Sequence, residues 1–289
     1  MEDRWTVLKV LQWTTEYFGR KAIDQPRAGA EVLLAHVLGM ERIQLYLNFD
    51  RPLTPDELAS YREVVRRRAA REPTQYITGK QEFWSLELEV TPAVLIPRPE
   101  TELLVDKALE LIRDSSKRVL DLGTGSGAIA VALAHECPTI RLIATDKSYA
   151  ALRVARRNAC RYHVDERIAF VAADFFGGFS PCSAPFDVII SNPPYIGEEE
   201  FPYLAPEVLK YEPNAALLGG PEGLGVIRRI IREAPTYLKG EGSLLMEIGA
   251  GQAEVLRAEL NNEAFHDHAE FIRDYSGVLR VVHMRRAPS

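Results

Sequence analysis

The sequence predicts a doubly wound α/β sheet of mostly parallel strands, preceded by a small helical domain and a β-hairpin linker. Three observations carry that reading. From Arg118 onward, short apolar runs alternate with helical stretches, the order that strand-helix-strand crossovers leave in a chain. Within it Val188, Ile189 and Ile190 form a continuous apolar run, as in a central parallel strand covered on both faces. Gly123, Gly125 and Gly127 sit where one strand pattern gives way to a helix, and sheets of this kind bind ligands at the carboxyl ends of their strands.

The helical domain comes first. Over residues 5–18, Trp5, Leu8, Leu11, Tyr17 and Phe18 recur at roughly helical spacing. A second helix is expected over 26–38, with Pro26 in its first turn and Gly39 as its stop, and a short one over 42–47. Thr54-Pro55-Asp56-Glu57 reads as a capping box with proline at the first helical position, opening a helix to about Arg71. The arginines Arg62, Arg66, Arg67, Arg68 and Arg71 read as its solvated face. After Glu72-Pro73, residues 75–78, 81–83 and 86–90 have the composition of short strands around Gly79. Pro99 and the acidic residues beside it then suit the start of an amphipathic helix through Ile112.

In the sheet region strands are expected at 119–122, 142–145, near Val171, at 186–190 and at 243–247, with two more at the end of the chain. Helices are expected at 128–134, through roughly Asn158, at 223–238 and at 252–260. The resulting domains are a helical domain over 1–73, a hairpin linker over 74–98 and the sheet domain over 99–289.

With 289 residues, 46% of them hydrophobic, the chain can fill one large core and one smaller one. A formal net charge of -6 offers no general electrostatic grip on DNA or an anionic membrane. Cys137, Cys160 and Cys182 lack metal-type spacing and fit free thiols in a reducing compartment. The N-terminus is acidic and amphipathic, and no apolar run has the length of a membrane span, so a cytoplasmic location is expected. His266-Asp267-His268 is expected in a polar loop without a third ligand, so no metal site is assigned.

Chemistry is expected where the buried run stops, at Asn192-Pro193-Pro194-Tyr195. Two prolines fix φ and push Asn192 out of the helical region, so the chain leaves the sheet rigid and extended. The Asn192 side chain offers an acceptor and two donors, the Pro193 carbonyl a further acceptor, and Tyr195 an aromatic face. That set suits a planar amide or a ring-bound amino group. Upstream, Gly123-Thr124-Gly125-Ser126-Gly127 has G-x-G-x-G spacing, unlike the G-x-G-x-x-G of a dinucleotide fingerprint. Asp146, about twenty residues after the glycines, ends the second strand where a carboxylate can accept both ribose hydroxyls. Asp174 follows the third strand and can accept from an adenine amino group, with Phe175 against the ring.

This series resembles the class I S-adenosylmethionine-dependent methyltransferases, which have a Rossmann-like sheet. More narrowly, nearly the whole chain resembles the release factor glutamine methyltransferase family, PrmC/HemK. Flanking segments carry the narrower match: Tyr76-Ile77-Thr78-Gly79, Glu82-Phe83-Trp84, Ile96-Pro97-Arg98-Pro99-Glu100-Thr101-Glu102, Tyr211-Glu212-Pro213, Ala216-Leu217-Leu218-Gly219-Gly220, Gly223-Leu224 and Glu247-Ile248-Gly249. Phe175 departs from relatives with tryptophan there, and the tail 274–280 matches more loosely.

The resemblance implies methyl transfer from S-adenosyl-L-methionine, leaving S-adenosyl-L-homocysteine, to the side-chain amide nitrogen of the glutamine in the Gly-Gly-Gln motif of bacterial class 1 release factors. Cofactor binding would fall to Gly123, Thr124, Gly125, Ser126, Gly127, Asp146, Asp174, Phe175 and Asn192. Catalysis and substrate binding would fall to Asn192, Pro193, Pro194 and Tyr195. Neither a membrane nor direct nucleic-acid contact is required, and the N-terminal helices would dock the release factor. Rival readings are a nucleic-acid amino-methyltransferase, since the same turn can hold a flipped adenine, a sister enzyme acting on a ribosomal protein, and a binding module without turnover.

Overall fold

The computed structural model describes residues 4–112, 117–180, 186–260 and 265–288; Cys182 lies outside them. In chain order the first elements are α1 (Val7–Arg20), α2 (Pro26–Leu38), α3 (Arg42–Leu47), α4 (Pro55–Ala69), α5 (Thr74–Thr78), β1 (Lys80–Phe83), β2 (Leu86–Glu89) and α6 (Glu102–Ile112). Then follow β3 (Arg118–Leu122), α7 (Ala128–Glu136), β4 (Arg141–Asp146), α8 (Tyr149–Arg161), β5 (Ile168–Ala172), β6 (Phe186–Ser191), β7 (Ile196–Gly197) and α9 (Pro206–Tyr211). The last are β8 (Leu218–Gly220), α10 (Gly225–Glu233), β9 (Leu238–Glu247), α11 (Gln252–Glu259), β10 (Phe265–Arg273) and β11 (Leu279–Arg286). They form two compact units, Met1–Lys80 with Ala205–Tyr211, and Gln81–Leu204 with Glu212–Ser289. The segment 74–98 is therefore shared between them.

In the helical unit, local signals set the helix ends. Thr6 and Thr54 cap α1 and α4 with their hydroxyls, Glu57 closes the capping box on Thr54, and Gly39 ends α2 at φ 61°. Phe18, Leu33, Leu34, Leu45 and Tyr61 pack the core. Residues 75–78, expected as a strand, are helical instead. Tyr76 and Ile77 are buried there, Thr78 Oγ1 donates to the Thr74 carbonyl at 3.0 Å, and Gly79 ends the turn at φ 74°. Burial of two large side chains on one helical face outweighs their β propensity.

The basic face of α4 is not simply solvated either. Arg68 is 7% exposed and donates to Glu207 of α9 at 3.0 Å, with Arg71 on the same carboxylate oxygen at 3.3 Å. Arg67 pairs with Glu72 and Arg66 with Glu63. Tyr211 Oη donates to the Ala70 carbonyl at 3.0 Å. Charge pairing of this kind is invisible to a helical-wheel reading because Glu207 lies far away in sequence.

The second unit is built on a seven-stranded sheet of order β10-β11-β9-β6-β3-β4-β5. Pairs β9-β6, β6-β3, β3-β4 and β4-β5 are parallel, whereas β11 runs antiparallel to both β9 and β10. Val119, Val188 and Ile190 join the core under α6 and α7, while Leu120, Leu122 and Ile189 join the opposite core with Ile227, Ile230 and Leu256 of α10 and α11. Strand alternation thus feeds both faces, which is why the runs read as continuously apolar. The β1-β2 hairpin is held by Asn158 of α8, whose amide is fully buried. Its Oδ1 accepts from Glu89 N at 2.7 Å, and its Nδ2 donates to the Glu89 and Ser126 carbonyls at 3.0 and 2.9 Å.

Two further expectations are corrected. The helix expected over 223–238 stops at Glu233, two residues before Pro235, and β9 begins at Leu238. His266-Asp267-His268 lies in β10, where His266 is registered against Arg285, so pairing with β11 overrides the polar composition. Among the described residues no group of three or more His, Cys, Asp or Glu is placed to hold a metal ion, and no helix is long and apolar enough to cross a membrane.

Leu120 is fully buried in β3, between β6 and β4. Leu120→Ala should lower unfolding free energy by about 2–5 kcal/mol, from lost transfer energy plus the cavity left behind. Urea unfolding checks this; a loss under about 1 kcal/mol would contradict its packing in the core with α10 and α11.

Candidate active site

Strand β6 ends in a buried Ser191 whose hydroxyl donates to the Leu122 carbonyl at 2.8 Å, fastening it to the end of β3. Asn192 follows. Its Nδ2 donates to Thr101 Oγ1 at 2.9 Å, and that hydroxyl donates to Glu247 Oε2 at 2.7 Å. The other Glu247 oxygen, Oε1, accepts from Tyr195 Oη at 3.1 Å. Asn192 Oδ1 is buried and has no hydrogen-bond partner among the described residues. A buried amide oxygen left unpaired is costly, so this atom has acceptor capacity to spare.

The turn is held from behind. Gln252 accepts from Gly249 N at 2.8 Å through Oε1 and donates to the Tyr195 carbonyl at 2.9 Å through Nε2. Gly223, at φ 71°, passes so close that a Cβ there would lie 2.0 Å from the Tyr195 carbonyl oxygen. Only glycine fits, because both the space and the backbone conformation exclude a side chain. Ahead of α6, Glu212 accepts from Ile96 N at 3.2 Å and from Arg98 at 2.6 Å, which fixes the segment leading to Thr101.

The glycine loop lies between β3 and α7. Gly127, at φ 80°, is a packing residue: a Cβ would stand 2.9 Å from that of Ala155 in α8. Asp146, at the end of β4, accepts from Gly125 N at 3.0 Å and from Ser148 N at 2.8 Å, one bond to each carboxylate oxygen. Burial raises its pKa against the pull of those two amides. Asp121 is wholly buried below the loop; burial pushes it up to about 7, Thr124 pulls it down, and nearby Asp146 adds to the rise. Asp174 accepts from Arg229 at 2.6 Å, and the Arg229 guanidinium lies 5.2 Å from the Phe175 ring centre.

A cavity of about 280 Å³ joins these parts; Gly123, Thr124, Gly125, Ser126, Asp146, Asp174, Phe175, Asn192 and Pro194 all line it. Gly127, Pro193 and Tyr195 do not, the first packing under the loop and Tyr195 turning to Glu247. Sequence reasoning passed over two residues of this site. Thr101 and Glu247 fell within segments that carry the family resemblance but were given no role in the site, yet both carboxylate oxygens and the threonine hydroxyl serve the turn. A charged residue at the end of an otherwise apolar strand, here Ser243-Leu244-Leu245-Met246-Glu247, was the available signal. Burial pushes Glu247 up to about 6, with Thr101, Tyr195 and Arg280 pulling it down and Glu100 adding to the rise. Tyr195 is raised by burial and by the Glu247 charge.

Family models match part of each unit. The PrmC N-terminal domain matches residues 9–79 and the methyltransferase small domain matches residues 99–215. The release factor glutamine methyltransferase of Geobacter sulfurreducens is 44% identical, covering 96% of each chain. That of Chlorobaculum tepidum is 43% identical over 96% of this chain and 97% of its own. The human MTRF1L release factor glutamine methyltransferase is 35% identical over 98% of this chain and 88% of its own. In fold, the chain is similar to the hMettl16 catalytic domain solved with MAT2A 3′UTR hairpin 6, at TM-score 0.57 and 16% identity, covering 77% of this chain and 81% of that one. It is also similar to a methyltransferase from Pyrococcus furiosus, at TM-score 0.51 and 19% identity, covering 70% and 89%. With a sheet of the class I methyltransferase type and relatives matched from end to end, the chain belongs to the release factor glutamine methyltransferase family.

Proposed function

We propose that this protein transfers the methyl group of S-adenosyl-L-methionine to the N5 side-chain amide nitrogen of the glutamine in the Gly-Gly-Gln motif of peptide chain release factors, and so modulates translation termination. The observation that carries the reading is the unpaired, buried Asn192 Oδ1 beside a cavity that also holds the glycine loop and Asp146. The loop presents bare backbone, and the Asp146 carboxylate, anchored by two backbone amides, keeps lone pairs for two ribose hydroxyls. Phe175 gives an apolar face for adenine, and Asp174 an acceptor for its amino group. These residues fit an adenosyl group. When bound, S-adenosylmethionine supplies an electrophilic methyl on a positively charged sulfur.

The substrate amide is a poor nucleophile because its nitrogen lone pair is delocalised into the carbonyl. Asn192 Oδ1 and the Pro193 carbonyl each accept one of its N–H groups, which fixes the plane of the amide and aims the nitrogen into the cavity. Such positioning supplies much of the acceleration. As positive charge develops on that nitrogen its N–H donors strengthen, so both acceptors hold the transition state more tightly than the ground state. The proton then leaves readily from an alkylated amide, and water accepts it. Tyr195, held on Glu247, anchors the end of the turn, and the two glycines of the target let its backbone approach closely.

Labelled methyl transfer to purified release factor, beside a variant whose Gly-Gly-Gln glutamine is alanine and beside duplex DNA, tests the proposal. Label confined to the intact factor is expected; label on DNA would assign the turn to a base amine instead. Asn192→Ala should lower the rate about 10²- to 10³-fold, the scale of losing one preorganised polar contact in the transition state, with S-adenosylmethionine affinity kept within a few-fold by calorimetry. Asp146→Ala should do the reverse, weakening S-adenosylmethionine binding by about 1.5–3 kcal/mol, the worth of charge-assisted hydrogen bonds. Unchanged binding by that variant would remove the ribose role.

A further inference from the structure

We infer that Thr101 and Glu247 form a hydrogen-bond relay whose task is to fix which way the Asn192 amide faces, and that they are positioning residues for the methyl transfer proposed above, on which this inference rests. An Asn side chain can turn over by half a rotation with almost no change of shape, exchanging its acceptor for donors. For the transfer, that exchange is fatal: an N–H turned toward the substrate amide meets other N–H groups. Something must hold the amide.

The geometry shows how. An ionised carboxylate only accepts, so the Thr101 hydroxyl at 2.7 Å from Glu247 Oε2 must spend its proton on Glu247. Thr101 Oγ1 then has only lone pairs to offer Asn192, 2.9 Å away, and can receive nothing but the Nδ2–H. Oδ1 is left as the acceptor, which is the buried atom found unpaired. Tyr195 Oη donates to the second Glu247 oxygen at 3.1 Å, so the same carboxylate also fixes the last residue of the turn. Glu247 is 1% exposed and Thr101 is 4% exposed, so water does not scramble the order of donors.

Protonating Glu247 makes it a donor and breaks the one-way order. The charged groups facing it are Arg280 of β11, which favours its anion, and Glu100, which opposes it; Arg98 faces Tyr195 in turn. Burial, the largest influence, leaves Glu247 titrating at about 6. Because the raised value belongs to the folded protein and the relay needs the anion, kcat is expected to fall as pH drops through about 6 and to level off above it.

Thr101→Val keeps the shape of the side chain and removes the oxygen. It should lower kcat about 100-fold, the scale of a lost preorganised contact, with S-adenosylmethionine affinity and KM for release factor near wild type and a lowered melting temperature, because Glu247 Oε2 and Asn192 Nδ2 lose a buried partner. Thr101→Ser, which restores the hydroxyl, should recover kcat to within a few-fold. Glu247→Gln should lower kcat and abolish the acid limb near pH 6. Independently of turnover, the Asn192 side-chain amide protons, identified in ¹⁵N NMR by their absence in Asn192→Ala, should exchange slowly in wild type and quickly in Thr101→Val. Wild-type kcat in Thr101→Val, equal impairment in the serine and valine variants, an acid limb that survives Glu247→Gln, or protection unchanged by Thr101→Val would each overturn the relay. Absence of transfer by the wild-type protein would instead fail the proposed reaction, and the exchange measurement would still decide the relay.

Discussion

Everything at the candidate site depends on a single constraint, the burial of β3 and β6 on both faces. Strands so covered are apolar through their middle, Val119-Leu120 in β3 and Val188-Ile189-Ile190 in β6, and polar side chains such as Asp121 and Ser191 gather toward the carboxyl ends. Leu122 and Ser191 are fully buried, and the Ser191 hydroxyl closes on the Leu122 carbonyl. Immediately beyond, the two chains diverge, one into the glycine loop and the other into the proline turn. The crevice between neighbouring parallel strands is thereby produced by topology, and the residues around it only have to fill it with suitable donors and acceptors.

Burial also sets the electrostatics. Asp121 and Glu247 sit at opposite flanks of the crevice, both raised by desolvation, both restrained by a threonine hydroxyl. In each case a neutral hydroxyl orders the carboxylate by a hydrogen bond, and at Glu247 the Arg280 charge adds to its effect.

Most of the site was legible because it is local. A glycine loop, a carboxylate at a strand end and an Asn-Pro-Pro-Tyr turn each declare themselves within a few residues, and alternating patterns place all of them at the same edge of a sheet. Thr101 and Glu247 were not legible for the opposite reason. Thr101 meets Asn192 across 91 positions of sequence and Glu247 across 146, and no periodicity reports a contact of that span. The same limit hid the Arg68–Glu207 pair. The errors at 75–78 and at 266–268 have a different origin. There the local composition was read correctly, and burial in one case and strand pairing in the other overrode it.

The helical unit is interrupted in sequence, since α9 joins it after the glycine loop and the proline turn have been passed. Among the described residues the carboxylate paired with its buried Arg68 is Glu207. In chain order Arg68, which also donates to the Glu72 carbonyl, precedes its carboxylate partner by 139 positions, so that ion pair forms only once α9 has been synthesised. The unit that begins the chain is thus completed by a segment that follows the Asn-Pro-Pro-Tyr turn in sequence.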